Sequence, residues 1–311
     1  MTTRTLDSSP RILPLYARAA AQLIPGASLL PFIPGRGKDV PDLELSLAGV
    51  RPDPEAVAAY AKVCGFSLRD HLPPTYPHVL AFPLHMAVMA DGRFPFGAVG
   101  LVHVENRIVQ HRPIGLDEEL KLCVRPTPLQ PHPRGRTFTL VSEVSAGGEK
   151  VWEEVSTMLR RGGGSGESTP RPEHEGPANE ADDFVASSEW RLGGDLGRRY
   201  AAVSGDRNPI HLHSLAAKPL GFPGAIAHGM WTKARCLAAL ESRLPDAFAA
   251  EVRFRKAILL PARVEFLSDA AGEEIAFAVR DAKRHAPHLD GCVKPVEAKT
   301  APNKISGRKT K

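Results

Sequence analysis

Two stretches of this chain carry the same pattern of residues in the same order. Tyr60-Ala-Lys-Val63-Cys64-Gly65-Phe66 resembles Tyr200-Ala-Ala-Val203-Ser204-Gly205-Asp206. Further along, Tyr76-Pro77-His78-Val79-Leu80-Ala81-Phe82-Pro83-Leu84 resembles Phe222-Pro223-Gly224-Ala225-Ile226-Ala227-His228-Gly229-Met230, and Pro113 and Pro261 then follow at similar distances. Three matches in one order mark an internal repeat, which points to one structural unit present twice. The run from Arg161 to Pro177 lies between the copies. Its glycines, prolines and polar residues can bury nothing and oppose regular structure, as a linker requires.

Hydrophobic periodicity says what the unit is. Residues from about 228 to 243 read as a helix, with Met230, Leu237, Leu240 and Leu244 at helical spacing and Pro245 as the stop. Then Val252 and Phe254, Val264 and Phe266, and Ile275, Phe277 and Val279 occupy alternate positions, the mark of antiparallel strands with one buried face. The first copy repeats the plan, with a helix near Phe82 to Ala90 and strands near 99 to 109, 117 to 125, 136 to 145 and 149 to 160. A central helix wrapped by a curved antiparallel sheet is an α+β arrangement, the hotdog fold, and two copies make a double hotdog. The expected division is a segment 1–45 of unassigned role, with a surface helix over 12 to 24, and a first hotdog over 46–160. A flexible linker over 161–185, a second hotdog over 186–298 and a basic disordered tail over 299–311 complete it.

The length of 311 residues suits two domains of ordinary size. The net charge of +5 invites a nucleic-acid partner, but Lys299, Lys304, Arg308, Lys309 and Lys311 account for all of it, and the rest of the chain is formally neutral. No apolar stretch is long enough to span a bilayer. Asp7, Pro10, Pro14 and Arg18 interrupt any run that would serve as a signal peptide, so a cytoplasmic location is expected. Cys64, Cys123, Cys236 and Cys292 are far apart, which speaks against a disulfide framework or a thiolate zinc site.

Chemistry concentrates in Tyr200-Ala-Ala-Val203-Ser204-Gly205-Asp206-Arg207-Asn208-Pro209-Ile210-His211-Leu212-His213. Gly205, Asn208 and Pro209 are turn formers that hold a tight irregular loop. A carboxylate and an imidazole five residues apart across such a turn can point at one water molecule, giving a base and a proton carrier near neutral pH. Downstream, His228-Gly229-Met230 opens the expected helix. The first N–H groups of a helix lack internal partners and carry the positive dipole end, and a glycine there admits a substrate carbonyl, so the Gly229 N–H reads as an oxyanion-type donor.

These residues resemble the MaoC-like (R)-specific hydratases, also called hydratase 2, over about a dozen positions from Tyr200 to Met230. The resemblance implies hydration of a 2-enoyl thioester, or dehydration of a (3R)-3-hydroxyacyl thioester, in fatty acid metabolism. It assigns Asp206 and His211 as the pair that binds the water, the Gly229 N–H to the thioester oxygen, and Asn208 to shaping the loop. The carrier is coenzyme A or acyl carrier protein, no cofactor is implied, and the whole resembles double hotdogs in which only one half keeps the motif. Such a chain is a monomer with internal pseudo-symmetry or a homodimer of double hotdogs. One departure is that Leu237 stands where some members carry a helix serine.

The first half has lost the motif. Phe66 stands opposite Asp206, Phe82 and Pro83 opposite His228 and Gly229, and the interval from Tyr60 to Pro77 is shorter than that from Tyr200 to Pro223. Its apolar residues Phe66, Phe82, Leu84, Met86 and Met89 are candidates for an acyl-chain groove, or simply for core. Other readings remain open. Asp206 alone can cap its own turn, and His211, His213 and His228 with Asp206 are a possible metal set that no further carboxylate or cysteine completes. Trp152 and Trp231 read as core. Arg253, Arg255 and Lys256 suit carrier phosphates or a solvated strand face. A non-catalytic acyl-thioester-binding partner and a thioesterase are the competing functions.

Overall fold

The computed structural model describes residues 2–21, 37–98, 100–162, 184, 186–269 and 273–297. Most of the expected linker and all of the expected tail lie outside them. Each half builds the same unit. The first is β2 (Leu43–Val50), α2 (Pro54–Cys64), α3 (Tyr76–Met89), β3 (Leu101–Gln110), β4 (Leu120–Pro126), β6 (Gly135–Ala146) and β7 (Glu149–Arg161), with a short β5 (Gln130–His132) paired to β6. The second is β8 (Ala186–Leu192), α4 (Leu196–Ser204), short α5 (Pro209–Leu212) and α6 (Ser214–Ala217), α7 (Gly229–Ala239), β9 (Phe248–Phe254), β10 (Ala262–Ser268), β11 (Ile275–Asp281) and β12 (Pro287–Pro295).

The strand order is β2-β4-β6-β7-β3 in one half and β9-β12-β11-β10-β8 in the other. Read outward from the seam, the two orders are the same, which is what a duplicated unit joined about a pseudo-twofold axis must give. The seam is the antiparallel pair β3·β9, with Asn106 opposite Val252 and Ile108 opposite Ala250. One sheet therefore runs through both halves, and hydrogen-bond pairing across the seam leaves neither half with a bare central edge.

The repeat is visible at residue level. Helix α2 ends at Gly65 with φ 87° and α4 ends at Gly205 with φ 75°, a left-handed conformation that glycine adopts without strain. Tyr60 and Tyr200 are both buried and approach each other at 6.1 Å between ring centroids. Helix α3 is apolar on nearly every face because the sheet surrounds it, and Leu84 and Val88 are fully buried. Trp152 and Trp231 are core, and their indole N–H groups donate to Pro74 O at 2.8 Å and Val63 O at 3.0 Å.

The N-terminal segment is not separate from the first hotdog. Strand β1 (Thr2–Leu6) pairs in parallel with β2, Thr2 opposite Leu43 through Leu6 opposite Leu47. Helix α1 (Ile12–Ala21) follows and packs on α3. The expected boundary at residue 45 thus falls inside β2, because the edge of the first sheet recruits the chain's own N-terminus.

Candidate active site

Asp206 and His211 lie on the loop between α4 and α5. Gly205 closes α4 by donating its N–H to Ala201 O at 3.1 Å, which turns the chain so that Asp206 leaves the helix. Asn208 caps α5, its side chain accepting from Ile210 N at 3.4 Å, and Pro209 fills the first helical position, where no N–H is needed. The three loop residues singled out from the sequence therefore act on the backbone. Leu237 is buried in the core.

Every polar atom of the pair has a defined setting. Tyr16 Oη donates to Asp206 Oδ1 at 2.8 Å, and Asn208 N–H donates to the same oxygen at 3.1 Å. Oδ2 has no hydrogen-bond partner among the described residues and lies 3.8 Å from His228 Nε2. His211 Nδ1–H donates to Ile226 O at 2.9 Å, so in the neutral ring Nε2 is the bare acceptor. His228 stacks on His211 with centroids 3.7 Å apart and donates Nε2–H to the backbone oxygen of Asp206 at 3.0 Å. His228 Nδ1 is buried with no partner among the described residues.

Electrostatics keep the carboxylate charged and the rings neutral. Burial would raise the Asp206 carboxyl, but His228, His211, the Tyr16 hydroxyl and the Asn208 N–H outweigh it, and the group sits below its usual range. Burial pulls the His211 imidazole below its ordinary value, against the opposing pull of Asp206 and the Ile226 carbonyl. Burial, then the neighbouring His211, take His228 down to about 3. Burial and Asp206 push the Tyr16 phenol well up, so it remains a donor. Asp206, His211 and His228 each offer a ligand atom within 4.8 Å of the others, enough to hold a metal ion. His213, the other candidate ligand, is exposed and lies outside that group.

Gly229 is the first residue of α7, and its N–H has no hydrogen-bond partner among the described residues. A Cβ there would stand 3.0 Å from the ring of Phe254, tighter than ordinary contact, so a larger residue would have to displace that ring. The matching position in the first half is Pro83, inside α3, which has no N–H to offer.

One cavity joins the halves. Asp206, His211, His228 and Gly229 line it from the second half; Phe82, Met86 and Met89 of α3 line it from the first. Phe66 and Leu84 do not belong to the wall; both are buried in the core, because those faces of the first half turn toward the sheet and the neighbouring helices. The exposed cations Arg134, Arg161, Arg255 and Lys256 also border the cavity. Arg253 instead pairs with Glu105 at 3.7 Å across the seam. Tyr16 and the polar side chains His78, His85 and His103 in the wall had no signal in the sequence motif.

The MaoC like domain family matches residues 183–289. The 3-hydroxyacyl-thioester dehydratase X of Mycobacterium tuberculosis is 38% identical over 270 residues, covering 86% of this chain and 94% of that protein. A crystal structure of HtdX from the same organism superposes with a TM-score of 0.71 at 36% identity, over 81% of this chain and 100% of that one. A MaoC-like dehydratase from Phytophthora capsici superposes with a TM-score of 0.68, over 85% of this chain and 98% of that one; at 18% identity the likeness is one of fold. The likeness to the mycobacterial enzyme extends through both halves, well beyond the catalytic loop: the chain belongs to the MaoC-like dehydratase family, in its double-hotdog form.

Proposed function

We propose that this chain catalyses the reversible dehydration of (3R)-3-hydroxyacyl thioesters to trans-2-enoyl thioesters in fatty acid metabolism. The observation that carries the reading is the pairing of a free Asp206 Oδ2 with a bare His211 Nε2 on one rigid loop, beside the free N–H of Gly229. In the hydration direction a water held by the two side chains forms its O–C3 bond as the C2=C3 π bond opens. Negative charge moves to the thioester oxygen, where the Gly229 N–H and the positive end of α7 meet it. The water's proton passes to the pair, and a proton returns from the pair to C2 as the enolate collapses, so the enzyme ends as it began. Asp206, held below its usual range, is a poor proton acceptor; it orients the water and stabilises the imidazolium that forms on His211.

The border of Arg134, Arg161, Arg255 and Lys256 suits the phosphates of a carrier, either coenzyme A or the phosphopantetheine of acyl carrier protein. Both halves line one cavity, so a single chain can furnish a complete site as an internal pseudo-dimer. No helix among the described residues is long and apolar enough to cross a membrane, and a cytoplasmic location fits a thioester substrate. The test is a product assay with a 3-hydroxyacyl-CoA. Formation of the conjugated enoyl thioester with no release of free thiol is expected; free acid and thiol would show a thioesterase instead.

A further inference from the structure

Three imidazoles of the first half, His78, His85 and His103, line the same cavity as the Asp206–His211 pair, and the reaction uses none of them. Phe82 is near both the catalytic loop and two of the histidines. Its ring lies 3.9 Å from the place a Cβ on Gly205 would take, and its centroid is 6.1 Å from His78 and 6.4 Å from His85. All three histidines share the cavity wall with the apolar Met86 and Met89; His78 and His85 flank Phe82, and His103 packs on Phe254, centroids 5.0 Å apart.

Two of the rings are fixed from behind. Both oxygens of Glu154 lie 2.9 Å from His78 Nδ1, and Asn106 Nδ2 donates to Glu154 Oε1 at 2.6 Å. His85 Nε2 is 2.6 Å from Ser142 Oγ. Each of these rings keeps a second nitrogen. His103 Nε2 is buried and has no hydrogen-bond partner among the described residues. A saturated tail lying here would leave polar atoms facing methylenes, which is the costly way to bury them. A charged tail is no better served. Glu154, despite its burial, is held ionised by His78 and its hydrogen bonds, at about 2, and burial keeps His85 and His103 neutral, at about 3.

We propose that His78, His85 and His103 form a polar subsite for the acyl group, so that the preferred substrates are 3-hydroxyacyl thioesters carrying a further uncharged oxygen, hydroxyl or keto, beyond C3. This rests on the dehydratase reading and narrows its substrate class. It differs from a groove for a plain fatty tail, since the wall that Phe82, Met86 and Met89 make apolar is made polar by the imidazoles among them.

The experiment compares kcat/KM for pairs of (3R)-3-hydroxyacyl-CoA substrates of equal length, one plain and one with a single added hydroxyl or keto oxygen, placed at successive carbons. At least one oxygenated member is expected to exceed its plain partner by at least about tenfold. The ratio should collapse toward one in His103→Phe and in His85→Met. Plain substrates equal to or better than every oxygenated partner would overturn the proposal, as would an unchanged ratio in both variants. A stoichiometric transition metal in the purified protein, lost with His78→Ala, would overturn it too, because the donors of His78, His85 and Glu154 lie within 4.8 Å of one another and would then be ligands. Turnover of neither member of any pair would instead sink the dehydratase reading itself. The wild-type comparison stands whether or not the variants fold.

Discussion

Tyr16 stands 190 residues from Asp206 along the chain and 2.8 Å from it in the fold. Its hydroxyl donates to Asp206 Oδ1 and accepts from Arg207 N–H at 2.9 Å, so one side chain fixes both the carboxylate and the backbone beside it. Losing a donor raises a carboxyl, so Tyr16→Phe should move the acid limb of kcat/KM to higher pH and lower its plateau by about tenfold, the scale of a hydrogen bond to a charged group. An unshifted pH profile would show that Tyr16 only packs. Asp206→Asn and His211→Ala should each lower kcat by at least about two orders of magnitude, whereas His213→Ala, with an exposed side chain, should be mild. Comparable loss in His213→Ala would undo the assignment. The proposed pair and its glycine are legible as candidates because their geometry is local: turn, cap and helix start all fall within one short segment. Tyr16 is not, since a contact at that separation leaves no periodic trace. His228 reads from the sequence as the start of a helix and as one of a possible metal set; its ring reaches back to Asp206 O because α7 packs against the loop.

At the scale of elements, the two central helices differ at the position proposed as the oxyanion donor. Helix α7 begins at Gly229 and leaves its first N–H free, while α3 begins at Tyr76 and runs through the matching position with Pro83 inside it. In the first half, about two turns of helix precede the matching position, and Pro83 has no N–H to leave free. The periodicity located both helices and most strands. It missed β1, β2 and β5, and also β8, whose run Ser187-Ser188-Glu189 is polar, and β12, where His288, Asp290 and Gly291 interrupt the alternation. It also missed that Glu154 and Ser156 share the inward face of β7 with Trp152, since polar residues there look like a solvated strand until α3 is seen to bury them. Met86 of α3 reaches the shared cavity. Met86→Trp should cut kcat/KM for long acyl chains by roughly tenfold or more, because the larger ring takes the space of the tail, and spare crotonyl-sized ones. Equal losses at all lengths would exclude this wall as the acyl site.

The whole molecule is held by a polar thread as well as by its core. Lys233, fully buried in α7, donates to Asn106 Oδ1 and to Ala250 O at 2.9 Å, and Asn106 passes the connection to Glu154 and His78. The thread crosses the β3·β9 seam and ties the second helix to the first half. Buried neutral imidazoles make the fold sensitive to acid. His85, His103 and His228 fall from an ordinary 6.5 to about 3 in the folded chain, mainly through burial. Between those values the unfolded chain binds protons that the folded chain refuses, so stability must fall as pH drops through that window. Three such groups give a limiting slope of about 4 kcal/mol per pH unit. Urea unfolding between pH 7 and 5 should show a steep decline beginning near pH 6.5, and His85→Met should flatten it; a profile level down to pH 4.5 would contradict the buried neutral rings.

Function at this scale comes from the joining of unequal halves: one supplies the loop and the helix start, the other the far wall of the same cavity. That claim is tested most directly by incubating the purified chain with trans-2-enoyl-CoA and no other addition, and resolving the 3-hydroxyacyl product on a chiral column, for the wild type and for Asp206→Asn. The account predicts (3R) product alone from the wild type and at least about a hundredfold less from the variant. A (3S) product, free thiol in place of a hydroxyacyl thioester, or undiminished hydration by the variant would contradict it.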